Sequence, residues 1–155
     1  MNTEIERRFL VPDGSKVPSG VEHVIKQGYM YSGDNGTVRF RVWDDKGYVT
    51  IKGRPQQGHF ARSEYEYEIP RADAESMIEN LCGTRVIYKT RRVVSVDGFN
   101  WEVDFFHGYH QGLIIAELEL DREDCQISLP DFVGEEITAK KGYSNAALSL
   151  KTVCK

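Results

Sequence analysis

Apolar and charged residues alternate along most of the chain with a period of two, in short runs bounded by Gly, Asp, Asn or Pro. Such runs predict strands with one buried face. Eight are expected: Thr3–Val11, Val21–Tyr31, Thr37–Trp43, Tyr48–Lys52, Ala61–Ile69, Val86–Val96, Asn100–Phe106 and Leu113–Asp121. The segments SGDNGT, DDKG and SVDGFN read as hairpin loops, the last with Asp97-Gly98 at positions that favour positive φ. After Pro70 the period changes. Ala74, Met77, Ile78 and Leu81 recur at helical spacing, and Gly83 follows as a stop. A second helix is expected from Ser144 or Asn145 to Val153, with Ser144-Asn145 as its cap.

Short hairpins joining eight strands predict an antiparallel sheet, which avoids exposed edges by closing into a barrel. The alternation fits a two-sheet sandwich equally well. The polar faces carry more information. On alternate positions the first strand places Glu4, Glu6 and Arg8, the third Arg39 and Arg41, and the fourth ends in Lys52. The fifth gives Arg62, Glu64, Glu66 and Glu68, the sixth Lys89 and Arg91, the seventh Glu102 and Asp104, and the eighth Glu117 and Glu119.

A solvated face with cross-strand Arg–Glu pairs accounts for any one of these strands. It accounts less well for like charges recurring two residues apart, as Glu-x-Glu on three of them, Arg-x-Arg on one and Lys-x-Arg on another. Side chains at that spacing stand roughly 7 Å apart, and at an effective dielectric near 20 each pair repels by about 2 kcal/mol. A bound ligand would supply the missing counter-charge. Clustered carboxylates offer hard oxygen ligands for Mg²⁺ or Mn²⁺, and guanidinium forks suit phosphate oxygens. Together they would hold a metal-bound polyphosphate, which is most of what phosphoryl transfer requires.

Composition narrows the class. The 155 residues suffice for one domain with a real core, spanning 1–155, and 40% hydrophobic with 28% charged residues describes a globular chain. A net charge of −4 gives no basic excess for nucleic acid. No apolar run is long enough to span a membrane, and the charged N-terminus is unlike a signal peptide. Cys82, Cys125 and Cys154 match no metal or redox spacing, so reduced thiols and a cytoplasmic location are expected. A homodimer is compatible with all of this.

The segment EIERRFL resembles the N-terminal Glu-x-Glu-x-Lys signature of the CYTH superfamily, the triphosphate tunnel metalloenzymes. QGYM, TVRFRV, YVTIKG, RSEYEYEIP, IYKTRR, WEVDFFHG, LIIAELEL and GEEIT…GYSNAAL resemble the family's later segments in the same order. The resemblance implies a mainly β, α+β fold: an eight-stranded antiparallel closed barrel, or tunnel, with a few flanking helices. It implies that Glu4, Glu6, Glu117 and Glu119 bind Mg²⁺ or Mn²⁺, with Asp104 assisting the metal or the water. Arg8, Arg39, Arg41, Lys52, Lys89 and Arg91 would grip the triphosphate, and Glu64 and Glu66 would orient basic residues or help hold a second metal. Two departures stand out: Arg8 replaces the signature lysine, and Lys140, Lys141 and Gly142 replace the usual acidic–basic run before the C-terminal Tyr.

The compact chain is most similar to the inorganic triphosphatases, which makes tripolyphosphate the first expected substrate. Adenylate cyclase chemistry, hydrolysis of thiamine or nucleoside triphosphates, and a non-catalytic polyphosphate-binding module are the alternatives. His23, His59, His107 and His110 read as surface residues. Tyr29, Trp43 and Trp101 read as core.

Overall fold

The computed structural model of the protein describes residues 2–54, 62–122 and 124–151. Eight strands are present: β1 (Asn2–Leu10), β2 (Val21–Gly33), β3 (Gly36–Trp43), β4 (Lys46–Lys52), β5 (Arg62–Ile69), β6 (Val86–Val96), β7 (Phe99–Phe106) and β8 (Ile114–Leu120). Two helices accompany them, α1 (Arg71–Leu81) and α2 (Asn145–Lys151). The hairpin chemistry is as expected, with Asp97 at φ 51° and Gly98 at φ 82°. Ala61 and the end of the second expected helix, Lys151 apart, lie outside the described residues, as do His59 and Cys154. Among the described residues no helix is long and apolar enough to cross a membrane. Cys82 and Cys125 are free thiols.

All strand pairings are antiparallel and run β1-β5-β4-β3-β2-β6-β7-β8, with β8 pairing back to β1. The sheet curls through 218° as a half-barrel. Its weakest seam has a local cause. Among the described residues, β1 meets β5 through Asn2–Glu64, Thr3–Ser63 and Glu4–Arg62. Farther along, segment 134–138 joins β1: Leu10 N–H donates to Glu135 O and Ile137 N–H to Arg8 O, each at 2.8 Å. The backbone groups there are satisfied without β5, so β1 and β5 can diverge.

The curl turns the apolar faces outward and the charged faces inward. Phe40 and Val42 pack beneath Ala74, Ile78 and Cys82 at α1. The helix approaches closely because β2 carries Gly28, where a Cβ would stand 2.8 Å from Cys82 Sγ. A second cluster joins Phe9, Trp101, Val103, Leu118 and Phe132, with ring centroids 5.6 Å apart for Phe9–Trp101 and 6.2 Å for Trp101–Phe132. Ile87, Phe106, Ile115, Ile137 and Leu148 form the third. Each buried large side chain contributes about 1.5–3 kcal/mol. The hydrophobic core therefore lies outside the curl, and the space inside is left to polar groups.

Candidate functional site: a charged cavity inside the curled sheet

The concave face encloses a cavity of about 360 Å³, lined by Glu6, Arg8, Arg39, Arg41, Lys52, Glu64, Glu66, Arg91, Glu117 and Glu119 among others. Strand alternation explains the convergence: residues two apart share a face, and in these strands the polar set takes the concave one. Ten of the thirteen expected site residues thus meet in one space. Glu4 lies on β1 in register with Arg62, and its side chain is outside the described residues. Lys89 and Asp104 do not line the cavity. They are buried behind its wall, at 1% and 0% exposure.

That buried position is the main departure from expectation. Asp104, expected to assist a metal or a water, has both oxygens engaged. Arg91 Nε donates to Oδ1 at 2.7 Å, and Arg91 Nη2 and Lys89 Nζ donate to Oδ2 at 2.9 and 2.6 Å. Burial alone would raise the Asp104 carboxyl, but Arg91 and then Lys89 hold it well below the usual carboxylate range. Burial pushes the Lys89 ammonium down, against Asp104, which supports its charge. Lys89 also donates to Asn145 Oδ1 at 3.0 Å, at the start of α2. Lys89 is thus committed to the protein itself.

The basic arc at β3 and β4 is arranged differently. Arg39 Nη2 donates to Thr50 Oγ1 at 3.1 Å and stands 3.7 Å from Glu66, while its buried Nε has no hydrogen-bond partner. Thr50 donates in turn to Glu66 at 2.9 Å, and Lys52 Nζ lies 3.6 Å from Glu64. These contacts match the orienting role expected of Glu64 and Glu66 in geometry. Arg41 makes no ion pair among the described residues. Its Nε donates to Gln27 Oε1 at 2.8 Å, and its guanidinium carbon sits 5.7 Å from the Trp43 ring centroid. Burial, with Arg39 and Arg91 nearby, pushes the Arg41 guanidinium well below its ordinary range. Its charge is therefore costly where it stands.

Across the cavity lies an acidic arc. Glu6 stands opposite Glu119 in the β1–β8 register, and Glu102 opposite Glu117 in the β7–β8 register. Like charges directly opposite on a sheet are destabilising. Arg8 and Arg91 offset part of this cost, Arg8 Nε at 3.4 Å from Glu117 and Arg91 at 3.3 and 3.6 Å from Glu102 and Glu117. Arg8 also donates to the carbonyl of Tyr143, which brings the segment before α2 to the cavity. Among the described residues no three carboxylate, His or Cys side chains form a ready metal cluster. The donor chemistry of Glu6, Glu117 and Glu119 nonetheless suits a hard divalent cation; Asp104 does not fit, since both its oxygens are taken.

Several lining residues were not foreseen. Glu102, placed with Asp104 on the seventh strand's polar face by the alternation but given no role, lines the cavity. Tyr29 and Trp43, read as core, line the cavity, whereas Trp101 is core at 0% exposure. Gln27 is buried beside them and carries no charge to mark it. Ser144 caps α2 as expected, accepting from Ala147 N–H at 3.1 Å, yet Ser144 and Asn145 also line the cavity. His107 and His110 point elsewhere, to Thr90 Oγ1 and the Leu148 carbonyl.

Comparison with known proteins agrees with this geometry. The sequence profile of the CYTH domain matches residues 2–151. The chain is 42% identical to an inorganic triphosphatase of Acetivibrio thermocellus, over 96% of this chain and 94% of that one. It is 35% identical to an inorganic triphosphatase of Nitrosomonas europaea, over 96% of this chain and 97% of the other. Among solved structures, the inorganic triphosphatase NE1496 superposes with a TM-score of 0.69 at 33% identity, covering 97% of this chain and 96% of that one.

Proposed function

Because the chain belongs to the CYTH domain family, we propose that it is a divalent-metal-dependent triphosphatase that removes the terminal phosphate of inorganic tripolyphosphate. The observation that carries this reading is the opposition of two arcs in one cavity. Arg41 on the basic arc has no carboxylate partner among the described residues, while Glu6 and Glu119 stand side by side in the β1–β8 register on the acidic arc. A polyanion completes the first and a cation the second. The identities of two curated relatives, both inorganic triphosphatases, support the same substrate.

In this reading the chain's residues do three things. Arg8, Arg39, Arg41 and Lys52 neutralise and align the phosphate chain, with Glu64 and Glu66 orienting Lys52 and Arg39. Glu6, Glu117 and Glu119, together with Glu4, hold Mg²⁺ or Mn²⁺, which supplies charge neutralisation at the phosphate oxygens. The Asp104–Lys89–Arg91 cluster holds Arg91 rigidly at the cavity wall. Water adds to the terminal phosphorus as the bridging P–O bond breaks, and pyrophosphate departs. We also assign the whole chain to one domain and read the curled sheet as a closed tunnel, since β1 pairs with both β8 and β5.

The test is a substrate panel. Tripolyphosphate, ATP and thiamine triphosphate are incubated with Mg²⁺ or Mn²⁺, and phosphate, pyrophosphate and cyclic AMP are measured. Phosphate release from tripolyphosphate that falls sharply in Glu6→Gln is expected. No turnover of any substrate, or turnover untouched by Glu4→Gln and Glu6→Gln, would sink the metal-dependent reading. Arg8→Lys in the same panel is expected to lose little, because Arg8 is assigned to phosphate binding.

A further inference from the structure

Gln27 is fully buried on β2, and its amide is used at both ends. Oε1 accepts from Arg41 Nε at 2.8 Å, and Nε2 lies 3.1 Å from the Tyr29 hydroxyl oxygen. Chemistry decides which way the amide points. A guanidinium can only donate, so the carbonyl oxygen faces Arg41 and the NH₂ faces Tyr29. The phenol oxygen is then an acceptor in that bond, and its own proton must go elsewhere. Tyr29 lines the cavity.

Arg41 is held in a matching way. With Nε taken by Gln27 and the Trp43 ring against the guanidinium, both Nη groups remain for an acceptor that no carboxylate among the described residues supplies. We propose that Gln27 is a positioning residue: it sets Arg41 and Tyr29 as a joint pair of donors to a single phosphoryl group of the bound chain. This rests on the triphosphate reading and deepens it.

The amide is the group this position needs. A carboxylate would neutralise Arg41 and could not donate to Tyr29. An apolar side chain would orphan Arg41 Nε where burial, Arg39 and Arg91 already act against its charge.

The experiment uses the full chain with tripolyphosphate, measuring Kd by calorimetry, KM and kcat by phosphate release, and the thermal midpoint without ligand. Gln27→Glu is expected to melt at or above the parent temperature while Kd and KM rise about ten- to hundred-fold. Gln27→Met and Tyr29→Phe are expected to weaken binding less, and the double variant no more than the worse single one, because Tyr29 acts through Gln27. Tyr29→Phe removes one oxygen with little change in packing, so it remains informative if Gln27→Glu does not fold. Lower midpoints with unchanged Kd would mean a merely structural role and would overturn the proposal, as would full additivity in the double variant. Parent protein that binds no tripolyphosphate would overturn the functional reading and this inference together. Parent binding with undiminished affinity in Gln27→Glu overturns the inference alone.

Discussion

Arg39 and Arg41 on β3 and Lys89 and Arg91 on β6 have the same pattern, two cations in phase on strands that flank β2 from either side. Their environments differ because their cross-strand partners do. Arg91 stands in register with Asp104 of β7, whereas Arg39 faces Thr50 and Arg41 faces Tyr48 of β4. One pair is neutralised from within the fold, whereas Arg41 of the other has no carboxylate partner among the described residues. On these strands a buried cation's setting follows from the residues across the ladder, not from its own strand.

The largest effect should come from breaking the neutralised pair. Asp104→Asn leaves Lys89 and Arg91 without their shared counter-charge and is expected to cost roughly 3–5 kcal/mol in urea unfolding. A loss below about 1 kcal/mol would put both pairs on the same footing. The pH dependence follows from the lowered carboxyl. The folded state holds Asp104 ionised below the unfolded value of about 3.9. Its contribution is therefore full above that value and is lost as the pH falls through the folded pKa. As Asp104 itself protonates in strong acid, the stability gap between parent and Asp104→Asn should narrow.

Arg41→Met tests the other pair. It removes a buried charge that lacks a carboxylate partner, so the ligand-free midpoint should hold or rise. Tripolyphosphate affinity should fall about ten- to hundred-fold. A large loss of ligand-free stability would show that Arg41 is structural after all.

Smaller changes sharpen the contrast between the two arcs. Glu119→Gln removes the carboxylate opposite Glu6 and should change the stability of the ligand-free protein by under about 1 kcal/mol. The same variant should reduce the rise in melting temperature produced by Mg²⁺ or Mn²⁺. At the bottom of the scale lies a surface pair, Arg7 with Glu136, joined by two bonds of 2.9 and 2.6 Å. Arg7→Ala should cost under about 1 kcal/mol, which sets the background against which Asp104→Asn is read.

Strand positions and the charged faces were legible in the sequence because alternation is local. So were Glu6, Arg8, Arg39 and Arg41 as members of one face. Lys89 and Asp104 share that alternation yet pair with each other: in-phase charges look alike whether they reach a cavity or end in each other. Gln27, within QGYM, and Asn145, at the expected helix cap, carried no site role in the sequence, since a neutral amide becomes informative only when its neighbours are known. The weak β1–β5 seam was equally invisible, because it depends on segment 134–138 reaching β1 from far along the chain.

By itself, then, the sequence determined eight strands with one charged and one apolar face, a helix after Pro70, and the resemblance to a family of triphosphate enzymes. Period-two patterning acts over a few residues and survives without long-range context. Only the tertiary structure decided that the apolar faces point outward, that Asp104 belongs to Lys89 and Arg91, and that Arg41 rests on Gln27 and Trp43. Those outcomes depend on register and curl, which pair residues distant in the chain and so decide which charges are neutralised inside the protein.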